Sequence, residues 1–316
     1  MNLPFKLLDP AKFRDPAVTA TGAPRAAVPL ERLDTLWFNT GSLCNIECGH
    51  CYIESSPTNG RLAYLTTAEV ERYLDEIAAL GWQTREIGFT GGEPFLNRDI
   101  AEMLWSALAR GFGVLVLTNA MKPMALKRRA LLALNAEFGR KLTLRVSLDH
   151  YTAAVHDAER GRGSFAKTSE GTDWLAKNDF RIALAGRHFT SEDEGGLRAG
   201  FARLIGERGW PVDAYDPGQL VIFPEMDGSS DVPEITTACW GLLGKSPSDV
   251  MCATSRMVVK RAGAAHPVVL SCTLLPYDPQ FELGRTLEEA NRTVALNHPH
   301  CAKFCVLGGA SCSAKP

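Results

Sequence analysis

The chain has 316 residues, 45% of them hydrophobic, and a formal net charge of −2. That length allows one large domain, or one domain with a small extension, and supplies enough apolar side chains for a substantial core. The near-neutral charge gives no electrostatic footprint for nucleic acid or a membrane surface. No apolar run reaches the roughly 18 residues of a membrane span, and the opening MNLPFKLLDPAKFRDP lacks a signal peptide's apolar stretch.

Residues 1–30, rich in Pro and Ala and without clear periodicity, read as an arm. From Leu33 onward, short apolar runs alternate with amphipathic stretches. Strands are predicted at residues 33–40, 86–90, 113–118, 142–148, 181–185 and 220–223. Between them, Thr66-Thr67-Ala68-Glu69 reads as a capping box, followed by Val70, Tyr73, Leu74, Ile77 and Leu80 as one apolar stripe at helical spacing. Further helices are predicted at residues 100–110, stopped by Gly111, and at 127–134, 165–176 and 197–207. This alternation implies an α/β fold of parallel strands joined by right-handed crossovers. Ligands of such folds collect at the C-terminal strand ends. Thr118-Asn119, Ser147-Leu148-Asp149-His150 and Arg187 sit there. The Asp149-His150 pair suits either a hydrogen-bonded loop or a substrate contact.

Nine cysteines are an odd number for a paired framework, and their clustering reads as metal binding in a reducing cytoplasm. Cys44, Cys48 and Cys51 lie in LCNIECGHCY, just after Leu36-Trp37-Phe38. The C-x3-C-x2-C spacing lets one short loop aim three thiolates at one cluster. Three thiolates satisfy three irons of a four-iron cluster and leave the fourth open. Taken alone, the spacing also suits half a zinc site or a ferredoxin loop. A second motif, GFTGGEPFLN, closes the next predicted strand. Its Gly91 and Gly92 permit close backbone approach to a ligand, and Glu93 with the neighbouring carbonyls suits an ammonium group.

In this order and spacing, the two motifs resemble the radical S-adenosylmethionine (radical SAM) enzymes over residues 31–230. His50, Tyr52, the LRVSLD strand end and Arg160-Gly161-Arg162-Gly163-Ser164, similar to the RG-x-GSF stretch of subfamilies with extra clusters, add to the likeness. Ser164 reads equally as a helix N-cap. The resemblance implies a partial (β/α)6 TIM-like barrel and a [4Fe–4S] cluster bound by Cys44, Cys48, Cys51 and SAM. The open iron would chelate SAM's amino and carboxylate groups, and one electron would cleave SAM to methionine and a 5′-deoxyadenosyl radical. By the same resemblance Gly91, Gly92 and Glu93 would meet the methionyl end. Ser147 and Arg187 would hold its ribose or carboxylate, with Asn119 near the same ligand. A flavodoxin or ferredoxin would supply the electron, and the substrate would be a small molecule or a peptide.

Six cysteines remain: Cys239, Cys252, Cys272, Cys301, Cys305 and Cys312. Met257-Val258-Val259 and Val268-Val269-Leu270 flank a Gly/Ala/Pro turn, which predicts a β-hairpin that draws Cys252 and Cys272 together. HPHCAKFCVLGGASC then brings three more cysteines. This part looks like the SPASM and twitch extensions, which bind auxiliary iron–sulfur clusters. One auxiliary [4Fe–4S] cluster is expected, held by Cys252, Cys272 and two of Cys301, Cys305 and Cys312. A zinc knuckle on the same sulfurs is the structural alternative. Cys239, beside Trp240, reads as a buried core thiol. The expected organisation is an arm (1–30), a radical SAM core (31–230) and an iron–sulfur extension (231–316). The first thirty residues are shorter than the leader-recognition domain common in peptide maturases. A different class, a non-catalytic iron–sulfur or zinc protein, would leave the Gly91–Pro94 motif without a role.

Overall fold

The computed structural model describes residues 7–188, 190–225 and 230–309; Cys312 lies outside the described residues. One nine-stranded sheet organises the chain. Its first six strands in chain order are β2 (Thr35–Asn39), β3 (Glu86–Thr90), β4 (Gly113–Thr118), β5 (Leu142–Ser147), β6 (Arg181–His188) and β7 (Leu220–Pro224), after a short β1 (Ala27–Val28) outside this sheet. Each pairs in parallel with the next, as the alternating pattern predicts. Their apolar runs are buried: all five residues of β2 are inaccessible, as expected of a parallel strand covered on both faces.

The crossovers are helices α1 (Thr67–Ala79), α2 (Ile100–Ala109), α3 (Lys122–Ala125), α4 (Arg128–Phe138), α5 (Ala153–Arg160), α6 (Ser164–Lys177) and α7 (Glu194–Arg208). Helix α1 starts at the capping box: the Thr66 side chain accepts from Glu69 N–H, and Glu69 reaches back to the Thr66 backbone. Its buried face is Val70, Tyr73, Leu74 and Ile77. Helix α6 corrects one expectation. Ser164 is its first residue rather than its cap, and the Asp157 carboxylate of α5 accepts from Gly163 N, Ser164 Oγ and Phe165 N.

The C-terminal part begins with α8 (Cys239–Leu243). The predicted hairpin follows as β8 (Ser255–Val259) and β9 (Val268–Leu270), with β10 (Glu282–Gly284) beyond it. Strand β8 pairs in parallel with β2, so the sheet order is β10-β9-β8-β2-β3-β4-β5-β6-β7. The sequence boundary at 230 therefore crosses one continuous sheet. Among the described residues β10 and β7, the two ends of this order, do not pair.

The described part of the arm is also packed. Strand β1 pairs with β11 (Val294–Ala295), and the buried Arg25 guanidinium meets Glu234 at 2.5 Å. No helix among the described residues is long and apolar enough to cross a membrane.

Candidate active site

The chain segment leaving β2 carries the three clustered cysteines, and the turn leaving β3 packs directly under it. Gly92 N donates to the Gly41 carbonyl and Glu93 N to the Leu43 carbonyl. A Cβ at Gly91 would lie 2.6 Å from the Gly41 oxygen, and one at Gly92 only 2.0 Å from the Leu43 oxygen. The glycines thus admit the backbone of the cysteine loop itself, a nearer neighbour than the ligand expected from sequence.

Glu93 also differs from expectation. Its side chain is buried and caps the turn Pro94–Leu96 by accepting from Phe95 N. It accepts further from Thr118 Oγ (2.9 Å) and Asn119 N (2.9 Å). Burial outweighs these donors and pushes its carboxyl up to about 7. Glu93 therefore ties the end of β3 to the end of β4 and is not part of the cavity wall.

That wall is formed by Cys44, Cys48, Cys51, Gly91, Gly92, Asn119, Ser147 and Arg187, around a cleft of about 140 Å³. The cysteine loop, the turn after β3 and the ends of β4, β5 and β6 all line this cleft. Asn119 Nδ2 donates to Asn45 Oδ1 at 2.9 Å and approaches Cys44 Sγ at 3.9 Å. Arg187 spans Glu159 (2.8 Å) and Glu225 (3.3 Å). Asp149 is buried and held bidentately by Arg160 at 2.7 and 2.8 Å; both line the cleft. His150 meets Thr152 Oγ and stacks on Tyr151 outside it. The Asp149-His150 pair is thus no dyad.

Glu159 and Arg160, at the end of α5, are the residues the sequence reading missed. Glu159 accepts from the His50 backbone N (2.7 Å) and ring Nδ1 (2.9 Å), while its carbonyl accepts from Gly49 N (2.8 Å). The contact raises the His50 imidazole. Arg160 stands within electrostatic reach of Cys48 and Cys51; burial opposes its charge, and the paired Asp149 carboxylate holds the guanidinium cationic. Arg160 was visible only as the start of the RG-x-GSF likeness; the buried positions of α5 are the polar His156 and Glu159, which form no apolar stripe.

The three thiols are free, and burial pushes Cys44 up to about 12 and Cys48 to about 11. Crowded neutral thiols such as Cys44 and Cys48 suit a cationic metal group, which displaces their protons on binding.

A second, smaller and almost wholly apolar pocket of about 20 Å³ is lined by Cys252, Cys272, Cys301 and Cys305. The segments just before β8 and just after β9, at the open end of the hairpin, supply the first two. The π-helical turn Cys301–Leu307 supplies the others, since more than four residues per turn set positions four apart on one side. Cys239 is apart from them, half-buried, accepting from Thr236. Leu274 lines both cavities, and Phe304, stacked on Phe223 at 5.5 Å, lines the larger. Buried Arg256 lies next to Cys252; burial presses it down to about 10, so it remains cationic at neutral pH. Among the described residues no three His, Cys, Asp or Glu side chains converge tightly enough to share one metal ion.

Residues 38–194 match the family described as the Radical SAM superfamily. The chain belongs to that superfamily. The antilisterial bacteriocin subtilosin biosynthesis protein AlbA of Bacillus subtilis is 32% identical over 169 residues, 53% of this chain and 35% of AlbA. The AdoMet-dependent heme synthase of Methanosarcina barkeri is 32% identical over 144 residues, 45% of this chain and 38% of the relative. The chain's match thus spans little more than a third of these relatives' length. Streptococcus suis SuiB bound to precursor peptide SuiA shares the fold with a TM-score of 0.59 at 13% identity, over 83% of this chain and 65% of SuiB. Members of the superfamily use a [4Fe–4S] cluster and SAM.

Proposed function

We propose that this chain is a radical SAM enzyme that abstracts hydrogen from a peptide substrate. The observation that carries the reading is the convergence of Cys44, Cys48 and Cys51 on one cleft with Gly91, Asn119, Ser147 and Arg187. Cys44, Cys48 and Cys51 would hold the cluster, and Gly91, Gly92, Asn119, Ser147 and Arg187 would surround SAM. When bound, the cluster supplies the one electron that cleaves SAM to methionine and a 5′-deoxyadenosyl radical. The protein's own work is to exclude water and fix orientation. Glu159 holds the cysteine loop, Asp149 pairs with Arg160 beside it, and Glu93 fixes the turn beneath.

Cys252, Cys272, Cys301 and Cys305 would hold an auxiliary [4Fe–4S] cluster. Four thiols around one apolar pocket support this reading. A cluster binds each thiolate on its own iron, whereas zinc needs its ligands gathered about a single ion. The peptide substrate is supported by AlbA's role in bacteriocin biosynthesis and by the SuiA precursor bound to SuiB. The expected reductant is a flavodoxin or ferredoxin, in the cytoplasm.

The test is anaerobic reconstitution with iron and sulfide, then dithionite and SAM. Wild type should yield 5′-deoxyadenosine and Cys48→Ala none. Equal yields from both would end the reading. Adding candidate precursor peptides should raise the yield and change one peptide's mass; a wild type that responds only to small metabolites would overturn the peptide assignment.

A further inference from the structure

Arg256 is among the largest fully buried side chains of the molecule, about 1% exposed. Its guanidinium makes four hydrogen bonds, all to backbone carbonyls: Nη1 to Cys252 (2.6 Å) and Ser255 (2.8 Å), Nε to Ala290 (3.0 Å), and Nη2 to Arg292 (3.1 Å). Among the described residues no carboxylate contacts it, and its electrostatic partner is the Cys252 sulfur. Two other arginines at least partly buried, Arg25 and Arg160, are treated differently. Arg25 is paired with Glu234, and Arg160 with Asp149. Carbonyl dipoles solvate a guanidinium but leave its full charge in place, and a buried charge without a counter-charge is costly. The fold keeps this cation immediately beside a pocket lined by four thiols.

We propose that Arg256 is the fixed counter-charge of the four-cysteine pocket, stabilising the net negative charge which that pocket carries when a thiolate-bound metal group occupies it. The inference rests on the reading that Cys252, Cys272, Cys301 and Cys305 hold an iron–sulfur cluster. Four thiolates outweigh the charge of the metal core, so the loaded pocket is anionic and becomes more so on reduction. A nearby cation favours the reduced form and raises the reduction potential; net charge and hydrogen bonding are the levers by which proteins set that potential. Arg256 acts through the ligands and is a positioning and tuning residue. At the first site the equivalent cation, Arg160, is already neutralised by Asp149, which makes that site an internal control.

The experiment compares anaerobically reconstituted full-length wild type, Arg256→Gln, Arg256→Lys and the double variant Cys252→Ala/Cys272→Ala. Iron and sulfide content and an EPR-monitored redox titration are read for each. In Arg256→Gln the auxiliary signal should shift to a more negative potential, with the Cys44/Cys48/Cys51 signal unmoved. Arg256→Lys, which keeps the charge but loses the planar fork, should load fully and stay closer to wild type. An Arg256→Gln protein that loads its auxiliary cluster at an unchanged potential overturns the proposal. Loss of auxiliary iron in both Arg256→Gln and Arg256→Lys also overturns it, since the role would then be structural. If the double cysteine variant keeps the iron content and spectrum of wild type, the cluster assignment itself fails, and the proposal with it.

Discussion

Glu159 and His50, 109 residues apart in sequence, are joined twice: one carboxylate takes both the backbone N–H and the ring of His50. Helix α5 thereby grips the loop between Cys48 and Cys51, so the geometry of the three thiols depends on a helix three crossovers away. The same carboxylate also reaches Arg187 on β6.

Loosening that grip should loosen the first site. Groups that orient metal ligands typically contribute about 10–100-fold in metal affinity. Glu159→Ala should therefore release iron from the Cys44/Cys48/Cys51 site to a chelator at least about 10-fold faster, with the second site unchanged. Equal release from wild type and variant would show that the loop holds its shape without α5.

Gly92→Ala should be among the most damaging single-methyl additions in the chain. Its Cβ would meet the Leu43 backbone oxygen at 2.0 Å, and backbone cannot step aside as a side chain can. A loss of about 3 kcal/mol is expected, seen as a lower thermal midpoint. Gly206 in α7 has open space around its missing Cβ. Gly206→Ala should stabilise the protein by about 0.5–1 kcal/mol through helix propensity. Similar midpoints for the two variants would contradict this account.

Glu93 gives a pH signature. Its carboxyl, pushed up by burial from 4.5 to about 7, keeps its proton in the folded chain across a range where the unfolded chain has lost it. Folding then binds a proton, so this group's contribution to stability falls as pH rises from about 4.5 to 7, by about 3 kcal/mol at most. His156 and His298, pressed down to about 4 by burial, tilt the curve the opposite way between about 4 and 6.5. The measurement is therefore a difference: the stability of metal-free wild type relative to Glu93→Gln should decline across that window in denaturant titrations. A flat difference would place the titration elsewhere.

Leu274 is the shared wall of the two cavities and is nearly fully buried. Leu274→Ala should cost about 2–5 kcal/mol and open the four-cysteine pocket to the larger cleft. Chelator removal of auxiliary iron should accelerate while the first site's rate holds. An unaltered auxiliary rate would mean that another side chain seals the pocket.

The alternating apolar runs determined the six parallel strands, and the Thr66–Glu69 pattern determined where α1 begins, because strand burial and helix capping are set by residues adjacent in sequence. The cysteine spacings and the Gly91–Gly92 turn were likewise local and legible. What required the fold were pairings across long separations: β8 beside β2, β1 beside β11, Glu159 on His50, Arg160 on Asp149, and Arg256 against Cys252. A carboxylate or guanidinium carries no periodicity that names its partner. Which charge it meets, and whether it meets one at all, is decided only when distant strands close around it and remove the water.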